Sequence, residues 1–194
     1  QLIVLSIVEN NLIYLPTSIG HLEELSFLYL NSNQLTSLSE SIQNLQNLLH
    51  LRFDNNQLTS LPDGIGKLNK LLEISASYNR LSNLPKSIGS LNSLTDLFLY
   101  KNQLTVLPES VGNLKNLQWL GLNDNHLGNL PRTIGNLKNL IDLAVQNNQL
   151  NALPETIGEL HALTGFYVFN NTLDVLPETI GSMTSLTTGD FRHN

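Results

Sequence analysis

Leucine recurs along the whole chain at a spacing of 23 residues. The first leucine of each unit stands at nine positions without insertion or deletion: Leu2, Leu25, Leu48, Leu71, Leu94, Leu117, Leu140, Leu163 and Leu186. Eight full units, residues 2–185, precede a truncated ninth, residues 186–194. A fixed period of this length is the signature of a repeat protein, in which stacking of neighbours buries a continuous core. We therefore predict one domain over residues 1–194, with end caps missing from this stretch.

Each unit follows the pattern LxxLxLxxNxLxxLPxxIGxLxx. The alternation in LxL predicts a short strand whose fourth and sixth residues point into the core, as Leu97 and Leu99 would. Strands that enter in the same direction from stacked units form a parallel sheet. In the second half of the unit, proline fixes the backbone and glycine interrupts any longer helix, so we expect short 3₁₀ or helical turns and extended pieces there.

Asparagine occupies the ninth position of every unit. The nine residues are Asn10, Asn33, Asn56, Asn79, Asn102, Asn125, Asn148, Asn171 and Asn194. A buried side-chain amide can both donate to and accept from the backbone. We predict that these amides form a continuous ladder of hydrogen bonds between adjacent units.

Three departures from the pattern predict local irregularities. Ser39 and Gln43 replace proline and glycine in the second unit, where we expect an atypical return turn and a change of curvature. Gly189 replaces the inward fourth residue of the last unit, which predicts looser packing. The first unit carries Ile3, Val4 and Val8 where later units are more polar, which suggests a missing neighbour over that end.

The repeat, as in Leu107 to Leu114 (LPESVGNL), resembles the 23-residue class of leucine-rich repeats over essentially all of residues 2–194. It is similar to the repeats of plant and animal intracellular Ras-associated leucine-rich-repeat scaffolds, and to those of spirochaetes and other bacteria. The resemblance implies an α/β fold: a right-handed horseshoe solenoid with the parallel sheet on its concave face. It says little about function, which depends on the variable positions.

The variable strand positions, namely the third, fifth, seventh and eighth of each unit, are rich in aromatic residues. Of the chain's twelve aromatic residues, eight fall in these columns: Phe27, Tyr29, Tyr78, Phe98, Tyr100, Trp119, Tyr167 and Phe169. Even placement would put about 2 there. Strand propensity also favours aromatic residues, but it equally predicts Val, Ile and Thr, which are few in these columns. Aromatic side chains on a rigid concave surface are typical of protein-binding hot spots.

In the fifth column the side chains become small between Phe98 and Tyr167. At about 4.8 Å per strand, these two rings should stand roughly 14 Å apart over Gly121 and Ala144. We predict a shallow pocket at this place, with Trp119 as one wall.

Acidic residues also collect on this face, which favours a partner with a basic or mixed surface. Solubility is an equally good interpretation of the charges alone. The residues expected to contact a partner are Phe27, Tyr29, Glu73, Tyr78, Asp96, Phe98, Tyr100, Lys101, Trp119, Asp124, Asp142, Tyr167 and Phe169.

Composition and spacing argue against other classes of function. The net charge of −6 disfavours nucleic acid as the main partner, and no apolar run is long enough for membrane insertion. The chain has no cysteine, and its five histidines occupy five different repeat positions, so we expect neither a metal nor another cofactor. Asp96 and Asp142 are spaced like a pair of glycosidase carboxylates, but we expect a flat open sheet neither to exclude water nor to raise a carboxyl pKa, and therefore no enzyme.

The sequence thus predicts a protein-interaction module that binds a protein or peptide in signalling or scaffolding, with a glycan as a less favoured ligand. Two alternatives stay open. The chain could be the recognition arm of a larger enzyme such as a kinase, GTPase or ubiquitin ligase, or a bacterial surface or secreted adhesin or sensor. The lack of cysteine favours a cytoplasmic location over a secreted or surface one.

Overall fold

Nine short strands form one parallel sheet in chain order in the computed structural model, which describes residues 1–194. The strands are β1 (Val4–Ser6), β2 (Phe27–Tyr29), β3 (His50–Arg52), β4 (Glu73–Ser75), β5 (Asp96–Phe98), β6 (Trp119–Gly121), β7 (Asp142–Ala144), β8 (Gly165–Tyr167) and β9 (Thr188–Asp190). Every strand residue pairs with the residue one repeat further on, as Leu97 pairs with Leu120. Because no unit has an insertion, the sequence period becomes the register of the sheet. The predicted repeat architecture is confirmed.

The fourth and sixth residues of each unit point into the core. Leu97 and Leu99 are fully buried, as are their equivalents in units two to eight apart from a trace of exposure at Leu120. The buried apolar side chains form one cluster of 47 residues that runs along the chain. A large and a small residue adjoin at one place in it, where Phe53 lies one strand away from Ala76 and both are fully buried.

The return side of each unit is a five-residue 3₁₀ helix, as the proline and glycine positions predicted. The eight helices are Thr17–His21, Glu40–Asn44, Asp63–Lys67, Lys86–Ser90, Glu109–Asn113, Arg132–Asn136, Glu155–Glu159 and Glu178–Ser182. The seven prolines stand immediately before a helix with φ between −63° and −69°. None of the helices has the length and apolar character needed to cross a lipid bilayer.

The return turn of the second unit is regular, so the expectation of an atypical turn at Ser39 is wrong. Ser39 adopts φ −68° and ψ 145°, the same conformation as the prolines, and its hydroxyl accepts a hydrogen bond from the Ser41 N–H. A serine at the N-cap thus replaces the fixed φ of proline by a capping bond.

Gln43 is accommodated by a second exchange in the next unit. In the first unit and in units three to seven, the glycine of the return turn packs against a serine or threonine of the following unit; an added Cβ at Gly20 would lie 2.6 Å from the Ser41 carbonyl oxygen. Gln43 faces Gly64 instead, and a Cβ added at Gly64 would lie 2.9 Å from the Gln43 Cβ. The side chain and the glycine have therefore changed places across one contact between units.

The ninth-position asparagines from Asn33 to Asn171 each join two units by the same bonds. Asn102 donates to the carbonyl oxygens of Leu99 in its own unit and Ala76 in the preceding one, at 3.0 Å each. Its Oδ1 accepts from the Leu81 N–H of the preceding unit at 2.9 Å. Asn194 makes the same bonds, with longer distances to the preceding unit, whereas the Asn10 side chain bonds only to the Val8 carbonyl oxygen.

The residue before each of these asparagines lies in the left-handed region of the backbone. All nine eighth-position residues have φ between 52° and 57°, and none of them is glycine. Such a conformation costs a non-glycine residue about 1 kcal/mol or more, so the surrounding hydrogen bonds must enforce it. It turns the chain out of the strand and carries the eighth side chain to the rim of the sheet.

The two ends of the sheet are less well packed than its centre. Ile3, Val4 and Val8 of the first unit are exposed. Gly189 is exposed at the other end, where the Phe191 ring packs edge to face on Phe166 with ring centroids 5.4 Å apart. The aromatic pair occupies the position where the inward leucine is lacking.

Candidate partner-binding face

The side chains of the third, fifth, seventh and eighth positions cover the sheet on the side away from the core. We call this surface the open sheet face. Because the strands are in register, each column of side chains crosses all nine strands in order, so that Trp119, Asp142 and Gly165 are successive neighbours. The predicted site residues all lie on this face, and they fall into three groups along it.

The central group surrounds β5 and β6. Tyr78 and Tyr100 pack edge to face with ring centroids 5.4 Å apart, and the Lys101 ammonium lies 4.8 Å from the Tyr78 ring centroid. Trp119 and Tyr78 keep 41% and 46% of their surface exposed, among the most exposed large apolar side chains of the inner units. Phe98 and Tyr100 are half-buried. This group combines an apolar surface with a fixed cation.

The predicted pocket between Phe98 and Tyr167 has a different floor from the one expected. Gly121 is buried, and a Cβ added to it would lie 3.4 Å from Phe98 Cδ1. The Phe98 ring therefore lies over Gly121 and fills part of the space that was predicted to be the floor of the pocket. The main surface cavities lie elsewhere, for example beside Glu24, Asn47 and Lys67.

The second group lies on β2, β3 and β4. Phe27 stacks on the His50 ring at 5.1 Å, and the Arg52 guanidinium lies 5.6 Å from the Tyr29 ring centroid. Neither His50 nor Arg52 was among the predicted partner-binding residues. His50 and Glu73 stand one repeat apart in the same column, and this spacing was the signal that could have identified their contact.

Glu73 is not the exposed carboxylate that the sequence suggested. It retains 8% of its surface, and its oxygens accept hydrogen bonds from Arg52 Nε at 2.6 Å and Arg52 Nη2 at 2.8 Å, while His50 Nδ1 lies 2.8 Å away. Burial by itself would raise the pKa of Glu73, but the bonds from Arg52 and His50 outweigh it and the pKa is lowered. Glu73 thus holds an internal ion pair on the face.

The third group lies towards β8 and β9. Tyr167 and Phe169 are half-buried, and the Arg192 guanidinium lies 5.9 Å from the Phe169 ring centroid. The same guanidinium donates to both oxygens of Asp190, at 2.9 and 2.7 Å. Arg192 is therefore already paired within the chain.

The acidic residues of the face differ in what they contact. Asp96 accepts from the Thr95 hydroxyl at 2.6 Å, and Asp124 accepts from Asn123 and Asn147 at 2.7 and 2.8 Å. Asp142 has no hydrogen-bond donor or cation of the chain beside it, and burial raises its pKa. The expectation that an open sheet would leave its carboxyl pKa values unshifted is therefore wrong at Asp142.

The titratable residues of the face do not form a cluster typical of metal binding. No group of three or more His, Asp or Glu residues converges on a common point. Asp96 and Asp142 stand on strands separated by β6, with the Trp119 side chain between them in the same column.

Comparison with known proteins gives the same fold from independent evidence. The family model described as a leucine-rich repeat region matches residues 1–82 and 110–188, and a second leucine-rich-repeat model matches residues 77–127. No significant match was found among the curated proteins.

Among solved structures, a leucine-rich-repeat protein of Leptospira interrogans is 36% identical over 95% of this chain, with a TM-score of 0.73. The ectodomain of the Arabidopsis thaliana membrane receptor kinase GASSHO1/SCHENGEN3, solved in complex with CASPARIAN STRIP INTEGRITY FACTOR 2, is 36% identical over 93% of the chain, with a TM-score of 0.82. The plant peptide hormone receptor RGFR1, in complex with RGF2, is 28% identical over 100% of the chain, with a TM-score of 0.73.

The chain spans 54% of the leptospiral protein, 23% of the GASSHO1 ectodomain and 36% of RGFR1. It shares their repeat and their stacking of parallel strands over most of its own length. The chain therefore belongs to the leucine-rich-repeat family.

Proposed function

We propose that this chain is a protein-interaction module that binds a protein or peptide on the open sheet face, in a signalling or scaffolding role. The observation that carries the proposal is the aromatic group on β5 and β6, where Trp119 stays 41% exposed on a rigid sheet. Large aromatic side chains bring much apolar area to an interface and have few rotamers to lose.

The immediate surroundings of Trp119 suit a hot spot. Phe98 and Tyr100 provide half-buried apolar surface beside it. Lys101 and Asp124 lie at the rim, where solvent lowers the cost of placing a charge in an interface. An apolar centre with a polar rim is the common anatomy of a protein interface. The two plant receptors similar to this chain were solved with bound partners, which supports the proposal by family likeness.

The proposal applies equally to a free-standing scaffold, to the recognition arm of a longer enzyme and to a bacterial surface protein. In each case the open sheet face performs the binding and any chemistry lies in other residues. Among these settings we favour a cytoplasmic one over the secreted or surface alternative, because the chain contains no cysteine.

Replacement of Trp119 by alanine tests the proposal. We expect Trp119→Ala to weaken partner binding about tenfold or more, since truncation of a hot-spot aromatic costs on the order of 2 kcal/mol. The measurement is quantitative affinity capture from cells of the source organism, followed by titration of the captured protein.

The matched control is Val106→Ala, which removes an apolar side chain that is 51% exposed outside the sheet. Val106→Ala should bind like the unmodified chain. If Trp119→Ala and Phe98→Ala, both shown by circular dichroism to be folded, captured the same proteins with the same affinity as the unmodified chain, the open sheet face would not be the binding surface.

A further inference from the structure

Asp142 stands alone among the carboxylates of the inner strands in having no partner. Glu73 is held by Arg52, Asp96 by Thr95, and Asp124 by two asparagines. Asp54 accepts from the Ser75 hydroxyl at 2.7 Å and from the Ser77 N–H at 2.8 Å. Asp142 receives no such bond, although it is half-buried.

The cations of the open sheet face are all engaged elsewhere. Arg52 binds Glu73, Arg192 binds Asp190, and Lys101 lies over the Tyr78 ring. The chain therefore supplies no charge to compensate the Asp142 carboxylate, which is left free for a cation from outside.

Gly165 makes room for this carboxylate. A Cβ added at Gly165 would collide with Asp142 Oδ2 and would approach Tyr167 Cε2 to 3.3 Å. The carboxylate and the Tyr167 ring thus meet above the bare backbone of Gly165. On the other side, Trp119 is the register neighbour of Asp142, about 4.8 Å away along the column.

These three side chains lie together on the open sheet face, with an aromatic residue on each side of the carboxylate. Trp119 and Tyr167 stand on β6 and β8, on either side of Asp142 on β7, at a separation of about 10 Å between the outer strands. Small residues, Ala144 and Gly165, lie between the rings. Aromatic faces attract a cation through their quadrupole, and a carboxylate binds a guanidinium through two parallel hydrogen bonds.

We propose that this cluster of Trp119, Asp142 and Tyr167 binds one arginine side chain of the partner, with Asp142 as its counter-charge and the two aromatic rings in contact with the guanidinium. The inference rests on the proposed function and adds the chemistry that the partner must present. Arginine fits better than lysine because its planar group can stack on a ring and donate to the carboxylate at the same time.

Burial of Asp142 supports the assignment. Desolvation raises the pKa of this carboxyl group, which means that the ionised form is destabilised in the free protein. A bound guanidinium would restore the interactions that the carboxylate has lost with water. A residue that destabilises the free chain and is relieved by a ligand is typical of a binding site.

The probe for this site is Nα-acetyl-arginine amide, compared with Nα-acetyl-citrulline amide, which has nearly the same shape without the charge. We expect the arginine compound to cause saturable NMR shifts at the Trp119 indole N–H and the Gly165 amide, and the citrulline compound to cause none that saturate. In Asp142→Asn the affinity for the arginine compound should fall at least tenfold.

The control variant is Asp63→Asn, which removes the same charge from an exposed carboxylate of the return helix Asp63–Lys67, outside the open sheet face. It should keep the affinity of the unmodified chain. Asp142→Asn should also unfold at the same or a higher temperature, since it removes an unpaired ionised group, so that a loss of binding cannot be a loss of fold.

Two results would overturn the arginine site: no saturable shift with the arginine compound, or equal affinity in Asp142→Asn and the unmodified chain. Either result would leave the proposed function standing if Trp119→Ala still lost its protein partner. Conversely, arginine binding at Asp142 without any effect of Trp119→Ala or Phe98→Ala on the captured proteins would remove the proposed function and keep the site.

Discussion

The asparagine at the ninth position satisfies backbone groups of two units with one side chain. Asn102 engages the carbonyl oxygens of Ala76 and Leu99 and the N–H of Leu81, all in the buried interior. A buried backbone group without a partner costs about 1–3 kcal/mol, so the cost of losing this side chain is the sum of several such groups. This accounts for the asparagine at the ninth position of units two to eight.

Replacement of Asn102 by alanine should lower the free energy of unfolding by about 3 kcal/mol or more, because three buried backbone groups lose their partners. Asn10→Ala should lower it by less than about 1 kcal/mol, since Asn10 bonds only to the exposed Val8 carbonyl oxygen. Urea unfolding followed by circular dichroism measures both. If both variants lost the same free energy of unfolding, the asparagine bonds between units would not stabilise the chain more than the single exposed bond of Asn10 does.

At the scale of the element, each return turn packs against the next one, with a small residue of one turn facing a larger side chain of the other. In the first unit and in units three to seven, the glycine of the return turn has no room for a side chain, because a serine or threonine of the next turn lies against it. Gln43 breaks this rule in one unit and Gly64 restores the contact from the other side. The second unit therefore keeps the regular 3₁₀ helix Glu40–Asn44 despite two unusual residues.

The exchange predicts a coupling between positions 43 and 64. Gly64→Ser should destabilise the chain by about 1–3 kcal/mol, because the added Cβ would meet the Gln43 Cβ at 2.9 Å and the more mobile Glu40 carboxylate oxygen at 2.7 Å. In the background of Gln43→Gly the same substitution should cost much less, because serine opposite glycine is the arrangement of the neighbouring units.

A thermal unfolding double-mutant cycle measures this coupling. Gly128→Ser provides the control, since a Cβ added at Gly128 meets nothing within 4 Å and should leave the stability nearly unchanged. The explanation fails if the costs of Gly64→Ser are equal with and without the Gln43 side chain.

For the molecule as a whole, stability is distributed along one dimension, because each unit contacts only its neighbours in the stack. The central units have a neighbour on both sides, and Leu97 and Leu99 are completely buried. In the outermost units Leu5, Ile7, Leu186 and Phe191 are only partly buried. The open sheet face of β5 to β8, where the candidate site lies, belongs to the well-packed part.

Hydrogen exchange should therefore proceed inward from the ends. We expect the backbone amides of Thr188–Asp190 to exchange at least tenfold faster than those of Asp96–Phe98, since opening the last unit exposes less apolar surface. Exchange monitored by mass spectrometry checks this. Equal protection in both strands would mean that the chain opens as a single cooperative unit.

The sequence by itself determined the architecture. An uninterrupted 23-residue period leaves one register for the strands, so that inward leucines, asparagine ladder and return turns follow from position alone. It also determined which side chains reach the open sheet face, because strand side chains alternate between the two surfaces. The left-handed backbone of the eighth residues was not predictable. Glycine, the residue that favours this conformation, occurs at none of the nine positions, which hold asparagine and six other residue types.

Only the tertiary structure decided how the side chains of the face share its surface. The Phe98 ring covers Gly121, Arg52 and His50 hold Glu73, and the Asp142 carboxylate lies over Gly165 without a partner. Each of these arrangements depends on side chains brought together from units 23 residues apart. It also depends on which neighbouring residue is small enough to leave room for the larger side chain. A repeat pattern specifies the columns, but the contacts within a column depend on distances that arise once the units have stacked.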